Sequence, residues 1–414
     1  MKREKERISS KKEKTEQLKM KERFQRSLQR DERGITLVAL VITIVILIIL
    51  AVVTINFAFG DNGLIKQAES ARDYQANADA TDSKLLNDAT EYIDGIIGGN
   101  GSEEDNSGET TKSEVEEAKE SGETFEDTTT IKDDLENDVT IPGGFHVAED
   151  SGTKVEEGIV IEDDAGNQFV WIPVGEYNVS TSINAEGKLT NNLSRRTFTE
   201  SGATEINGDD AIDSFYGEGN ANSVAKDQIE GFKTSATTNG GYYIGRYEAG
   251  TEIERTSAGD SLTTPLVQAN KNAYVWVTRD QAKTQSEAMY SGNSYVTSEL
   301  ISSYAWDTAL NFICQTNEEG YLLAITTDSA YGNIRTNTKE LTGVYEADKY
   351  SNIHDFLGNS YEWTTEYSSG SNGTCVDRGG YYFSNTSYSA AYRYADPTTN
   401  IDSVGSFRLQ LYVK

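Results

Sequence analysis

One stretch of the chain, GITLVALVITIVILIILAVVTINFAFG, limits the possible folds more than any other. From Ile35 to Phe59 it contains no charged residue, and as a helix rising about 1.5 Å per residue it would exceed the roughly 30 Å hydrocarbon core of a bilayer. A core helix of this sequence would be apolar on every side, and a removable signal would need a shorter run followed by a small-residue cleavage site. The sequence therefore predicts a transmembrane helix over residues 35–59.

Charge is unevenly distributed about this stretch. The chain has a formal net charge of −30, with 37 Lys and Arg against 67 Asp and Glu, yet residues 1–34 are predominantly basic. Positive residues mark the cytoplasmic end of a membrane helix, so we expect a basic cytoplasmic leader and a single-pass membrane protein with an extracellular C-terminal domain. The acidic remainder lacks the clustered Lys and Arg that phosphate backbones require, which argues against a nucleic-acid partner.

A basic leader ending in Gly34, followed at once by Ile35 and an apolar helix, resembles the leader of type IV prepilins and pseudopilins. The resemblance covers residues 33–97. It implies that prepilin peptidase cuts between Gly34 and Ile35 and methylates the new N-terminus, and that the helix then packs against other pilin subunits at the cell surface or in a pilus. The family usually has Glu at the fifth mature position, where this chain has Ala39. Because a buried amine without its partner is costly, a minor or tip-located pilin fits better than a major one.

Two further segments precede the globular part. Residues 60–97 carry apolar side chains at mostly three-, four- and seven-residue intervals, which predicts a helical extension. Residues 98–140 are acidic and rich in Gly, Ser and Thr, and such a sequence buries too little apolar surface to offset the entropy lost on ordering. We expect a disordered acidic linker, with cation binding by its acid runs as the alternative.

The remaining residues, 141–414, have the pattern of a globular domain. GIVIEDDAGNQFVWIPVGEY and GGYYIGRYEAG predict short strands, and ELISSYAWDTALNFICQ predicts one amphipathic helix. In order along the chain, FVWIPVGEY, YAWDTALNFI, DFLGNSYEWT and the RGG that precedes VGSFRL resemble the formylglycine-generating-enzyme, or sulfatase-modifying-factor, domain, a variant of the C-type lectin fold. The family's RLPTEAEWE stretch is missing. The predicted fold class is α+β: a long N-terminal pilin-type membrane helix, a disordered acidic linker and a C-type lectin-like domain.

The resemblance does not bring the enzyme's chemistry with it. The family's oxidase chemistry uses two copper-binding cysteines, and alignment on RGG places them at Ser384 and Ser389, so we expect no copper. Iron-dependent relatives need a histidine-rich motif on another domain, whereas this chain has only His146 and His354. No nucleophile-base set or acidic pair stands out, and the sequence therefore predicts that the protein is not an enzyme.

The segment between RGG and VGSFRL is unusually rich in Tyr, Ser, Asn, Asp and Thr. This is the mixture found in antibody paratopes, where Tyr supplies rigid contact area and short polar side chains supply adaptable hydrogen bonds. The segment also resembles the variable regions of retroelement-diversified proteins such as phage tropism determinants, although a protein sequence leaves open whether diversification takes place. An ordinary polar loop is the alternative. The predicted ligand-binding residues are Tyr381, Tyr382, Phe383, Asn385, Thr386, Tyr388, Tyr392, Tyr394 and Asp396.

Two smaller sites are also predicted. The family resemblance implies a Ca²⁺ site at Asp355, Gly358, Ser360 and Glu362, all of which offer hard oxygen ligands; a Glu362 that only stabilises a turn is the alternative. Cys314 and Cys375 are the only cysteines. Outside the membrane an even pair is a disulfide candidate, and two buried thiols are the alternative.

Together these features predict a pilin-like, surface-displayed adhesin whose catalytically inactive, lectin-like domain binds an extracellular protein or glycan. The main alternative is a structural minor pilin or pseudopilin of a type IV pilus or a type II secretion-like system, without a ligand of its own. A third is an enzyme of unrecognised chemistry.

Overall fold

The structure is a computed structural model that describes residues 15–23, 112–180, 187–206, 220–317, 320–345, 348–367, 374–383 and 388–414. The chain divides into two units, Met1–Gly108 and Glu109–Lys414. Within the first unit, residues 15–23 are described; they are helical and exposed. The second unit contains every other element described below.

The elements of the second unit follow in chain order. The helices are α1 (Glu114–Ser121), α2 (Asn220–Thr238), α3 (Arg279–Met289), α4 (Ser303–Thr316) and α5 (Gly320–Ile325). The strands are β1 (Thr129–Lys132), β2 (Asp138–Ile141), β3 (Phe145–Val147), β4 (Val160–Asp163), β5 (Gln168–Pro173), β6 (Gly175–Asn178), β7 (Lys188–Asn191), β8 (Arg196–Thr199), β9 (Gly202–Glu205), β10 (Gly241–Gly245), β11 (Gly250–Thr251), β12 (Asn272–Ala273), β13 (Val296–Leu300), β14 (Tyr361–Tyr367), β15 (Thr374–Arg378), β16 (Tyr394–Pro397), β17 (Gly405–Phe407) and β18 (Leu409–Val413).

The observed helices and strands correct the predicted fold class and localisation. The described part of the chain holds no helix with the length and apolar character that crossing a membrane requires. Its longest helix, α2, contains Lys, Asp and Glu among its residues, and the body is mostly β with short helices. This finding contradicts two predictions: the long N-terminal pilin-type helix and the single-pass membrane protein. The residues that motivated them, 34–97, lie outside the described residues.

The predicted disordered linker is also corrected where it can be seen. Helix α1 starts with a Ser113 cap, whose Oγ accepts a hydrogen bond from the amide of Glu116 at 3.2 Å, and β1 and β2 form an antiparallel hairpin. Val115 and Val139 are fully buried. Averaged composition concealed these few apolar positions, and each is enough to fix a short element to the core. Residues 98–111 of the predicted linker lie outside the described residues.

The core is built on a six-stranded sheet in the order β13-β18-β10-β5-β4-β3, with antiparallel pairing throughout. Strands β5 and β10 are central, and apolar residues on both sides of each strand are buried. Trp171 packs edge-on against Tyr243 with ring centroids 5.0 Å apart. The sequence predictions of β4, β5 and β10 are confirmed by these strands.

Helix α4 is also confirmed, and it links the core to the second sheet. Ser302 caps it by accepting from the amide of Ala305 at 3.2 Å, and its residues up to Cys314 are buried. A smaller sheet follows in the order β16-β15-β14-β17. The loop before β14 packs so closely that a Cβ on Gly358, whose φ is 94°, would lie 2.1 Å from the carbonyl oxygen of Asn333; only glycine fits there.

Candidate functional site

Strand register sorts the side chains of the smaller sheet onto two sides. Trp363 is opposite Asp377, and Asp377 is opposite Tyr394. The adjacent pair, Glu362 and Arg378, is also in register. Because successive residues of a strand point to opposite sides, Asp377 and Tyr394 share one side of the sheet, whereas Glu362 and Arg378 share the other.

Tyrosine rings cluster on the Asp377 side. The ring centroid of Tyr388 lies 5.1 Å from that of Tyr392 and 5.4 Å from that of Tyr394. Tyr392 and Tyr394 are each 39% exposed, and nearby Phe383 is 60% exposed. Tyr381 packs edge-on against Tyr361 at 6.2 Å. We call the surface made by Tyr381, Tyr388, Tyr392 and Tyr394 with the carboxylates of Asp377 and Asp396 the tyrosine face.

Hydrogen bonds with α4, α5 and Arg378 fix the backbone that carries these rings. Trp306 Nε1 of α4 donates to the carbonyl of Ala390 at 3.0 Å, and the amide of Ala391 donates to Ala324 of α5 at 2.9 Å. Arg378 donates from one terminal nitrogen to the Ala391 carbonyl at 3.2 Å and to Asp307 at 2.7 Å. The segment therefore has a fixed backbone and exposed aromatic side chains.

The other predicted ligand-binding residues vary in their placement. Tyr381, Tyr382 and Tyr388 are half-buried, and Asp396 is partly buried and accepts from Asn400 Nδ2 at 2.6 Å. Asn385 and Thr386 lie outside the described residues, as does Ser384. Ser389, at the second position aligned with a copper-binding cysteine, is buried.

Carboxylates underlie the tyrosine face, and of these only Asp396 is predicted from the sequence. Asp377 is 3% exposed, and its Oδ2 has no hydrogen-bond partner. Burial, together with Asp396 and Asp402, raises the pKa of Asp377 well above its ordinary value. Burial also raises the pKa of Asp396, with Asp402 adding to the effect. In the sequence, Asp377 occurs in VDRGG and Asp402 in NIDSVGS. Neither segment indicates which residues lie near its aspartate in the fold.

The opposite side of the sheet holds a second set of carboxylates around one guanidinium. Arg408 donates to both oxygens of Glu362, at 2.9 and 2.6 Å, and to the carbonyls of Gly245, His354 and Asp355 at 2.8, 2.8 and 3.1 Å. We call the arrangement of Arg408 with Glu248, Asp348, Asp355 and Glu362 the Arg408 cluster; all five residues are buried.

Two of the four predicted Ca²⁺ residues, Asp355 and Glu362, lie within this cluster, and the set fits an ion only in part. Asp355 Oδ1 and Ser360 Oγ have no hydrogen-bond partner, and burial raises the pKa of Asp355 to about 6. Glu362, however, has both oxygens bound to Arg408, and burial raises its pKa to about 7. Among the described residues, no group of three or more His, Cys, Asp or Glu has the arrangement of a metal site. The calcium site stays a prediction, and the engagement of both Glu362 oxygens by Arg408 weighs against it.

A buried ion network joins α4 to the base of the tyrosine face. Asp307 binds Arg378 at 2.7 Å and also Arg393, while Glu366 binds Arg393 and Arg195, each at 3.0 Å. The sequence does not indicate this network, because its members are distant along the chain. It fixes the strand that ends in RGG.

The cysteines and histidines play no joint role. Cys314 and Cys375 are both buried thiols, and no disulfide joins them, which corrects the candidate pairing. Cys375 lies on β15, and burial raises its pKa to about 12. His354 is buried beside Tyr247, with ring centroids 5.0 Å apart, and burial lowers its pKa to about 3. His146 lies on β3.

Comparisons with known proteins give a limited result. No family model matches the chain, and no curated protein matches it. Among solved structures, the chain is similar to PvdO from Pseudomonas aeruginosa, with 11% identity, 61% of this chain and 97% of that chain covered, and a TM-score of 0.35. It is also similar to Treponema denticola variable protein 1, with 14% identity, 41% and 84% covered, and a TM-score of 0.27. At these TM-scores neither similarity carries an argument about the fold or the function of this chain.

Proposed function

We propose that the second unit is a ligand-binding module and that the tyrosine face is its contact surface. One observation carries the proposal: exposed aromatic rings stand on a backbone that α4, α5 and Arg378 hold in place. Exposed aromatic clusters commonly mark interaction sites, and Tyr is enriched in the residues that dominate binding energy. A contact surface of this kind needs no catalytic group, and binding is therefore the activity we propose rather than an enzymatic reaction.

A fixed backbone also lowers the cost of binding. Ordering a loop on association consumes part of the interaction free energy, and a preorganised surface avoids that cost. The hydrogen bonds to Ala390 and Ala391 involve main-chain carbonyls and an amide, so side-chain replacements at Tyr388, Tyr392 and Tyr394 leave them intact. The rings are thus separable from the fold.

The test is a triple replacement of Tyr388, Tyr392 and Tyr394 by Ala in the full chain. Surface replacements usually change stability by less than about 0.5 kcal/mol each, so we expect the melting temperature to stay within a few degrees. Loss of hot-spot side chains costs about 1 kcal/mol or more each in binding, so signals on glycan and peptide arrays should fall at least tenfold.

A matched control replaces three exposed apolar side chains elsewhere, Ile253, Leu341 and Val344, by Ala. This control should keep the array signals of the unaltered protein. Two results would reject the proposal: unfolding of the tyrosine variant, which would make the rings core residues, or equal loss of binding in both triple variants.

A further inference from the structure

Three carboxylates converge on the tyrosine face from separate parts of the chain. Asp377 lies on β15, Asp396 on the neighbouring β16, and Asp402 in the loop before β17. Asp402 Oδ2 accepts from the hydroxyl of Tyr361 at 2.7 Å and its Oδ1 from the amide of Val404 at 2.9 Å. Asp402 is therefore satisfied within the protein, whereas Asp377 is buried with one oxygen that has no partner.

Asp377 forms no ion pair with a described residue. The buried Arg279, which donates to the carbonyls of Thr364 and Thr365 on β14, lies near Cys375, which is on the same strand as Asp377. The charged groups that act on Asp377 are Asp396, Asp402 and Arg378. Arg378 is the next residue along the strand, so it points to the opposite side of the sheet, where it binds Asp307. The carboxylates of Asp377 and Asp396 therefore bind no cationic side chain of the described residues.

The rings lie close to these carboxylates. Asp396 is the main cause that raises the pKa of Tyr394, followed by burial and Asp377. For Tyr388, burial comes first, then its tyrosine neighbours and Asp377. Aromatic rings attract cations through the negative potential of their faces, and the attraction strengthens where water is partly excluded. Aromatic rings beside carboxylates that have no ion-pair partner therefore favour a positively charged ligand group.

We propose that the tyrosine face binds a cationic side chain, an arginine or a lysine, presented by a protein partner. The inference rests on the proposed function of this face and names the chemistry of its ligand. Arginine is the better fit, because its planar guanidinium stacks on aromatic rings and pairs with a carboxylate at the same time. Asp396 is the partly exposed carboxylate that would contact it, with Asp377 beneath.

The experiment immobilises three peptides, identical except for one central residue, and measures binding of the full chain to each. The central residue is arginine, lysine or citrulline, the last being a neutral mimic of arginine with nearly the same shape. We expect the arginine peptide to bind at least tenfold more tightly than the citrulline peptide, with the lysine peptide in between. Binding should weaken as salt is raised, because partly exposed charge pairs are screened.

Two variants test which carboxylates cause the preference for the arginine peptide. The double variant Asp377→Asn, Asp396→Asn should lose most of the difference between the arginine and citrulline peptides, while Glu176→Gln, which alters an exposed carboxylate on β6, should keep it. Three results would overturn the inference: no binding of the arginine peptide at millimolar concentration, equal binding of arginine and citrulline, or a preference that survives the double variant. If the arginine and citrulline peptides bind equally, loss of binding in the triple tyrosine variant would still support the proposed function.

Discussion

The two sides of the smaller sheet differ in whether a cationic side chain of the protein binds one of the buried carboxylates. On one side, Arg408 supplies a cation from within the chain and binds Glu362 through two hydrogen bonds. On the other side, Asp377 is equally buried and forms no ion pair with a described residue. Unpartnered carboxylate oxygens occur on both sides, at Asp377 and at Asp348 and Asp355 of the Arg408 cluster, but the rings around Asp377 are open to solvent. Burying a charge is costly unless it is paired. The first side is therefore organised for folding, and the second has the character of a surface that a ligand completes.

Position in the fold accounts for the difference. Arg408 lies between β17 and β18, where the smaller sheet meets the six-stranded sheet, and its guanidinium also binds three main-chain carbonyls. It thus ties together segments that are far apart along the chain. On the sheet's other side, the rings of Tyr388, Tyr392 and Tyr394 pack against one another, whereas Tyr381 packs against the core through Tyr361. The three outer rings are therefore the ones that we expect to contact a ligand.

The largest effect should follow from Arg408→Met. The replacement leaves Glu362 buried without its partner, and breaking a buried ion pair from one side costs about 3–5 kcal/mol. We expect a loss of that order in the free energy of unfolding, measured by urea denaturation. The control is Lys188→Met, which breaks an exposed pair with Glu176 at 3.6 Å and should cost under about 1 kcal/mol. Similar losses in both variants would erase the contrast between the two sides.

A smaller effect of opposite sign is expected from Asp377→Asn. The pKa of Asp377 is raised in the folded protein, so the folded state keeps a proton that the unfolded chain releases above its ordinary pKa of about 3.9. Its contribution to stability therefore falls as the pH rises. The asparagine variant lacks this penalty and should melt a few degrees higher than the unaltered protein at pH 8.

The same comparison at about pH 2.5, more than one unit below the ordinary pKa of aspartate, should show little difference, because the aspartate is then protonated in both states. Glu176→Gln should leave the profile unchanged at both pH values. A lower melting temperature of Asp377→Asn at pH 8 would mean that the carboxylate already has a cationic partner within the protein, and the contrast with Arg408 would disappear.

The sequence was informative where local pattern decides structure. The runs of β-branched and aromatic residues in VIED and QFVWIP predict β4 and β5, and the spacing in SYAWDTALNFI predicts α4. It also directed attention to the tyrosine-rich segment, whose exposed rings the structure places together. Composition misled over residues 112–140, because a few apolar positions such as Val115 fix elements that the surrounding acidic residues conceal.

The arrangement of charges on the two sides of the smaller sheet could not be predicted from the sequence, for a different reason. Glu362 and Arg408 are 46 residues apart, and Asp377 meets Tyr394 only through the register of β15 with β16. Nothing local encodes such meetings. The motif GSFRL marked Arg408 as part of a closing strand, but its partner could not be read from the motif. The Ca²⁺ prediction assigned Glu362 to an ion for the same reason, since the guanidinium that binds it is distant in sequence.

The smallest effect is expected from calcium, and it sharpens the contrast from the other direction. An ion that binds only the folded state raises stability by RT ln(1 + [L]/Kd), but one at Glu362 must first displace Arg408 from both carboxylate oxygens. We therefore expect millimolar Ca²⁺ to shift the melting temperature of the full chain by less than about 1 °C, with Mg²⁺ as the ionic-strength control. A calcium-specific rise of several degrees that Asp355→Asn abolishes and Asp377→Asn preserves would contradict this. It would show that the orphaned oxygens of Asp355 and Ser360 recruit an ion beside Arg408, and that both sides of the sheet depend on a cation from outside the chain.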